Sequence, residues 1–205
     1  MPEVVAGVKQ TAERGPAAVL CGELRGFARL SEALEPALVL QLAGEFFTLA
    51  AAVVQSERGR IVGVSNDTLL ALFRDGDAAQ VAEQAVRAAQ RMQRDCSGLA
   101  EGWRQAHGLR TAASLALHLG ETLFGRTGPA GMEQFVALGD SVSMAGRLLG
   151  RARAGELVLS HAVIQVISPE SLELDAEPLP PLEIPKRDPI RLYGVLLSDR
   201  LDFTS

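Results

Sequence analysis

Apolar and polar positions along the chain follow two periods, and the switches between them mark out the elements. Ala17 to Gly22 is a continuous small and apolar run closed by Glu23, the pattern of a buried strand that delivers a carboxylate to its C-terminal edge. After Arg25-Gly26, Pro36 stands where a first helical residue is tolerated. From there Leu38, Leu42, Phe46, Leu49 and Val53 recur at steps of three and four, which predicts an amphipathic helix. Between Gly59 and Phe73, apolar runs flank Ser65-Asn66-Asp67. Asn and Asp accept the positive φ of a short turn, so this stretch predicts a tight hairpin with Asp67 at its tip. Asp77 is placed to cap a helix striped by Val81, Ala85, Ala88, Met92, Cys96, Leu99 and Trp103, with a break expected at Ser97-Gly98.

A strand over 109–119 follows, and glycines at 120, 125, 128 and 131 predict a second hairpin region with its return strand at 134–138. Gly139-Asp140-Ser141 starts a helix whose inner face is expected to carry Val142, Ala145 and Leu148 or Leu149. Ser143 and Arg147, four apart, then point the same way and are placed to touch one ligand. Beyond it come a short strand at 156–159, a short helix at 161–167, a proline-rich loop at Pro178, Pro180, Pro181 and Pro185, and a last strand at 190–197. The order β-α-β-β-α-β with additions predicts an α+β fold, its helices on one face of a largely antiparallel sheet. Residues 1–16 are expected to be a lead-in or linker, 17–197 one domain, and 198–205 a tail.

Composition narrows the class. A chain of 205 residues with 47% apolar and 22% charged residues is long enough for one sizeable core. A net charge of −5 provides no broad attraction to nucleic acid or an anionic membrane, so neither is an implied partner. Cys21 and Cys96 lie far apart without metal-ligand spacing and are expected to be buried thiols of a reducing cytoplasm. The most apolar segment, 38–54, is interrupted by Gln41, Gly44 and Glu45, so no membrane span and no signal peptide are expected.

Four stretches, in order, resemble the catalytic domain of the class III nucleotidyl cyclases, the adenylate and guanylate cyclase family. Cys21-Gly22-Glu23-Leu24-Arg25-Gly26-Phe27 is similar to the family's Phe-Ala-Asp-Ile-Arg-Gly-Phe, and the hairpin to its Lys-x-Ile-Gly-Asp-x-x-x-Ala-x-Phe. Leu117-His118-Leu119-Gly120-Glu121 resembles Ile-His-x-Gly-Glu, and Leu138 to Leu148 resembles Ile-Gly-Asp-x-Val-Asn-x-Ala-x-Arg-Leu. The resemblance runs from about Ala17 to Val195. It implies a ferredoxin-like βαββαβ core with an extra hairpin and C-terminal strands. It also implies a head-to-tail homodimer or heterodimer of cyclase-type domains, with nucleoside triphosphate bound across the interface and Mg2+ or Mn2+ on two carboxylates.

Carried over position by position, the resemblance makes Glu23 and Asp67 the metal carboxylates, Glu23 being one methylene longer than the family's Asp. The base-reading Lys falls on Gly63, and the base-selecting Asp or Thr falls on Val136, so no side chain at either place hydrogen-bonds a purine edge. The ribose-orienting Asn falls on Ser143, and the transition-state Arg is kept as Arg147. Aligned on Pro189 and Tyr193, the late phosphate-binding Lys falls on Ile184, with Lys186 close by. Each lost donor costs about a hundred-fold in rate or discrimination. These replacements lead to the expectation of a catalytically degenerate, dimeric regulatory or nucleotide- and cation-binding module. The alternative is an active, divalent-metal-dependent cyclase with unusual base preference, a phosphorus-oxygen lyase that makes a cyclic nucleotide. Other roles stand beside these: Arg147 as a surface partner of Glu121 or Asp140, His118 as a hydrogen-bonded structural histidine, and Arg25-Gly26 as the shaper of a turn whose N–H groups are able to cradle phosphate.

Overall fold

Strict alternation along the first strand builds both layers of the molecule. The computed structural model describes residues 12–129 and 131–196. In chain order the elements are β1 (Ala12–Arg25), α1 (Phe27–Ala33), α2 (Pro36–Ser56), β2 (Arg60–Ser65), β3 (Thr68–Phe73), α3 (Ala78–His107) and β4 (Ala112–Thr127). Then come β5 (Gln134–Leu138), α4 (Asp140–Leu149), β6 (Glu156–Ser160), α5 (His161–Ile164), a 3-10 turn at Glu170–Leu172, β7 (Glu177–Leu182) and β8 (Ile190–Leu196). Ala18, Leu20 and Leu24 of β1 point into a core shared with α2 and α3, while Ala17, Val19 and Cys21 point into a second core under α4. Burial on both faces is why this strand reads as a continuous apolar run.

The sheet runs β2-β3-β1-β4-β6-β8-β7, with β5 paired to the far end of β4. Its pairs are antiparallel except β4 with β6. This is the expected α+β architecture with one correction, since the helices do not share a face. α4 lies opposite α2 and α3, because its buried stripe of Met144, Ala145 and Leu148 meets the odd-numbered side chains of β1. Val142, expected on that stripe, is only half-buried, and Ser141 is buried in its place.

Further differences have local reasons. β1 begins at Ala12, and Gly15 and Pro16 pair with β4, so the last residues of the expected lead-in lie inside a strand. Gly120 and Gly125 lie within β4, and Gly128 and Gly131 make the turn, with φ of 134° and 81°. α3 passes through Ser97-Gly98 unbroken, held by its buried stripe and begun by a capping box between Asp77 and Gln80. The proline-rich segment is a loop only at Pro185, which lies in a turn between β7 and β8. Pro178, Pro180 and Pro181 lie in β7 at the edge of the sheet, where a missing N–H costs little. α2 is long and apolar enough to cross a membrane by length and composition alone, and one stripe of it, Leu42, Phe46, Ala50, Val53 and Val54, is buried in the core shared with β1 and α3. The expected lead-in over 1–11, Leu197 of the last strand and the tail lie outside the described residues.

Candidate functional site

The hairpin closes with Ser65 opposite Thr68, so Asn66 and Asp67 are its two turn residues. Of the two, Asn66 takes the positive φ, 54°. Thr68 also pairs with Glu23, and the Leu24 N–H donates to the Asp67 carbonyl at 3.1 Å, which brings the two predicted carboxylates to one corner. There Asp67 Oδ1 accepts from Asn66 Nδ2 at 3.0 Å and from Thr68 Oγ1 at 3.4 Å. Burial pushes the Glu23 carboxyl above its ordinary pKa; the Arg25 guanidinium pulls it down, and the Asp67 charge adds to the rise.

Arg25 is the group that the motif did not reveal as part of this corner. Residues i and i+2 of a strand share a face, and here both point toward the α4 layer. Arg25 Nε lies 2.7 Å from Glu23 Oε1 and donates to Ser114 Oγ at 3.0 Å. Its Nη2 donates to the carbonyls of Ala152 and Leu149 at 2.6 and 3.3 Å, closing the C-terminal end of α4. Arg25 is thus a side-chain anchor, and Gly26 supplies the left-handed turn (φ 83°) that enters α1.

A second charged group lies along α4. Ser143 and Arg147 are both exposed, and Ser143 Oγ donates to the Gly139 carbonyl at 3.4 Å. Asp140, at the first position of the helix, is ion-paired with Arg187 at 2.7 Å. That bond holds its carboxyl below the usual range, and the charges of His118 and Arg147 act the same way. Glu121 is exposed as well, and the electrostatic partner seen for Arg147 is Asp140. Ile184 is buried in the α4 core and is no phosphate ligand, whereas Lys186 is exposed at a positive φ of 65° beside Arg187. Arg187 carried no signal in the sequence, because its partner lies 47 residues away. His118 has the structural role considered for it, Nδ1 lying 2.9 Å from Ser160 Oγ.

The two positions expected to read a base, Gly63 and Val136, lie on β2 and β5. Gly63 follows a bulge at Val62, and a Cβ there would meet only Leu70 Cβ at 3.8 Å, so packing does not require glycine. Val136 lines a cleft of about 140 Å3 with Ala12, Leu123, Gly125 and Leu138, none of them from β2. β5 is held against β2 and the end of β3 by cations over rings. Arg60 lies 4.4 Å and Arg74 lies 5.4 Å from the Phe135 centroid. Among the described residues no group of three or more His, Cys, Asp or Glu side chains is gathered as a metal site. Two oxygen donors still suit a hard divalent ion whose other ligands are water and phosphate oxygens.

No protein-family model matches the chain. It is 24% identical over 168 residues to an adenylate cyclase of Anabaena cylindrica, covering 76% of this chain and 32% of that protein, so the chain spans about a third of that relative's length. Among solved structures it is similar to the adenylyl cyclase CyaB from P. aeruginosa, with a TM-score of 0.83, 22% identity, and coverage of 92% of this chain and 97% of that one. The guanylyl cyclase Cya2 superposes with a TM-score of 0.77 at 21% identity, covering 90% and 93%. The layers, the strand order and these superpositions agree: the chain has the fold of the class III adenylyl and guanylyl cyclase catalytic domains.

Proposed function

We propose that this chain is a catalytically degenerate cyclase-homology module that pairs with a cyclase-type domain, a second copy or a different chain, and binds a nucleotide with a divalent cation. The observation that carries the reading is at the base positions. Gly63 and Val136 offer no hydrogen-bonding side chain, and nothing packed around Gly63 excludes one. A site that cannot pair a base edge loses discrimination by orders of magnitude. Glu23 and Asp67 are the residues that would hold Mg2+ or Mn2+, which supplies charge neutralisation on phosphate when bound. Ser143, Arg147 and Lys186 are the exposed groups available to phosphate and ribose. The charge interactions of Glu23 run to Arg25 and Asp67, and those of Asp140 run to Arg187, His118 and Arg147. The buried free thiols Cys21 and Cys96, both pushed up to about 12 by burial, support a reducing compartment such as the cytoplasm.

The test is an assay of all four nucleoside triphosphates with manganese. No cyclic product is expected from any of them. Robust product that vanishes in Asp67→Ala and Arg147→Ala would overturn the reading. It would establish instead an active cyclase of unusual base preference, which the retained Asp67 and Arg147 and the adenylate cyclase relative favour. Restoring the donors with Gly63→Lys and Val136→Asp is expected to raise nucleotide affinity, measured by calorimetry.

A further inference from the structure

The carboxylate corner already contains a cation. Arg25 Nε touches Glu23 Oε1 at 2.7 Å, and the same guanidinium is held by Ser114 Oγ and by the carbonyls of Leu149 and Ala152. Its main chain is fixed as well, since Thr111 Oγ1 donates to the Arg25 carbonyl at 2.6 Å. Those bonds do not depend on Glu23, so the positive charge stays in place whichever way the glutamate turns. The ion pair is partly shielded from water, with side-chain exposures of 37% for Arg25 and 21% for Glu23.

We infer that Arg25 is a tethered counter-ion that draws Glu23 away from Asp67 and competes with a divalent cation for the pair. The inference rests on the proposed cation-binding role of Glu23 and Asp67. Asp67 makes its side-chain bonds to its neighbours Asn66 and Thr68, not to Arg25. The corner therefore holds two carboxylates and one fixed cation, a net charge of −1 by count. A divalent ion entering it is attracted by both acids and repelled by the guanidinium. The methylene that distinguishes Glu23 from aspartate gives its carboxylate the reach to Arg25, so the shorter side chain is expected to remain free of it. Arg25 is a positioning residue in this scheme, acting on the cation through charge and through the direction it imposes on Glu23.

Mn2+ binding, read by electron paramagnetic resonance of the free ion, tests this without an activity assay. Arg25→Gln is expected to bind Mn2+ about tenfold more tightly than the unmodified chain, the scale of removing one nearby unit charge at an effective dielectric between protein and water. Because Arg25→Gln also removes the closure of α4 and risks unfolding, Glu23→Asp is the second variant. It leaves Arg25 on Ser114 and α4, and it is expected to bind several-fold more tightly. Arg25→Lys, which keeps the charge, is expected to stay near the unmodified affinity although it loses the same carbonyl bonds. If Arg25→Gln and Glu23→Asp bind no more tightly, and Asp67→Asn abolishes binding, the role of Arg25 is overturned while the carboxylate pair stands. Binding that survives Asp67→Asn, or no binding by any variant, overturns the carboxylate reading and this inference with it.

Discussion

At the scale of single residues, identical letters carry different meanings that packing alone assigns. Gly59 and Gly63 both flank or lie in β2, yet a Cβ on Gly59 would stand 2.4 Å from Phe73 Cε1 and 2.8 Å from Val54 Cγ1, two fully buried neighbours. Gly59→Ala is expected to cost about 1–3 kcal/mol in urea unfolding, as overpacked cores do, whereas Gly63→Ala is expected to be close to neutral. His118 makes a pH-dependent prediction. Burial lowers its pKa from the ordinary value near 6.5, with Asp140 opposing in part, so the folded state favours the neutral ring. Its contribution to stability is full above that ordinary value and is lost as pH falls through the lowered one. Urea unfolding across the histidine range is expected to show this acid loss in the unmodified chain and a shallower loss in His118→Gln. The sequence placed His118 correctly between apolar neighbours; Ser160, 42 residues away, was visible only after folding.

Among the elements, those with a strong local period or turn chemistry were the legible ones. α3 announced its start, since Asp77 Oδ1 accepts from the Gln80 N–H at 2.9 Å and Gln80 Oε1 from the Asp77 N–H at 3.0 Å. Asp77→Ala is expected to cost about 1 kcal/mol, measured as a lowered urea midpoint at an unchanged slope. The β2–β3 hairpin and β5 were equally readable, because two turn residues or a few alternating positions suffice to specify them. β7 was not. Three prolines argue against a central strand, and only the pairing of β7 with β8 at the sheet edge shows why they are tolerated. α4 was legible as a helix but not in its placement, since a stripe of apolar residues does not say which face of a sheet it meets.

On the scale of the whole molecule, one sheet is the wall between two cores, so neither core persists without it. Trp103, the single tryptophan, reports from the α2 and α3 side, where its Nε1 donates to Glu45 Oε2 at 2.7 Å. Its fluorescence and the far-ultraviolet circular dichroism are expected to give superimposable urea transitions; an earlier dichroism change would mean that the α4 layer melts separately. The candidate site follows the same division. Glu23, Asp67, Ser143 and Arg147 were picked out by their motifs, because a strand end, a hairpin tip and a four-residue helical step are set by neighbours in the chain. The counter-ion of Glu23 was not, although the i, i+2 spacing of Glu23 and Arg25 hinted at it. Arg25 is held in place by Ser114 and Ala152, 89 and 127 residues away, and Asp140 is neutralised across 47 residues by Arg187. Local periods, turns and caps thus established the elements and the motif residues, being short-range consequences of side-chain shape and backbone conformation. The opposite placement of α4, the proline-bearing edge strand and the cation inside the carboxylate corner came from folding, because each depends on contacts between segments that the chain order keeps far apart.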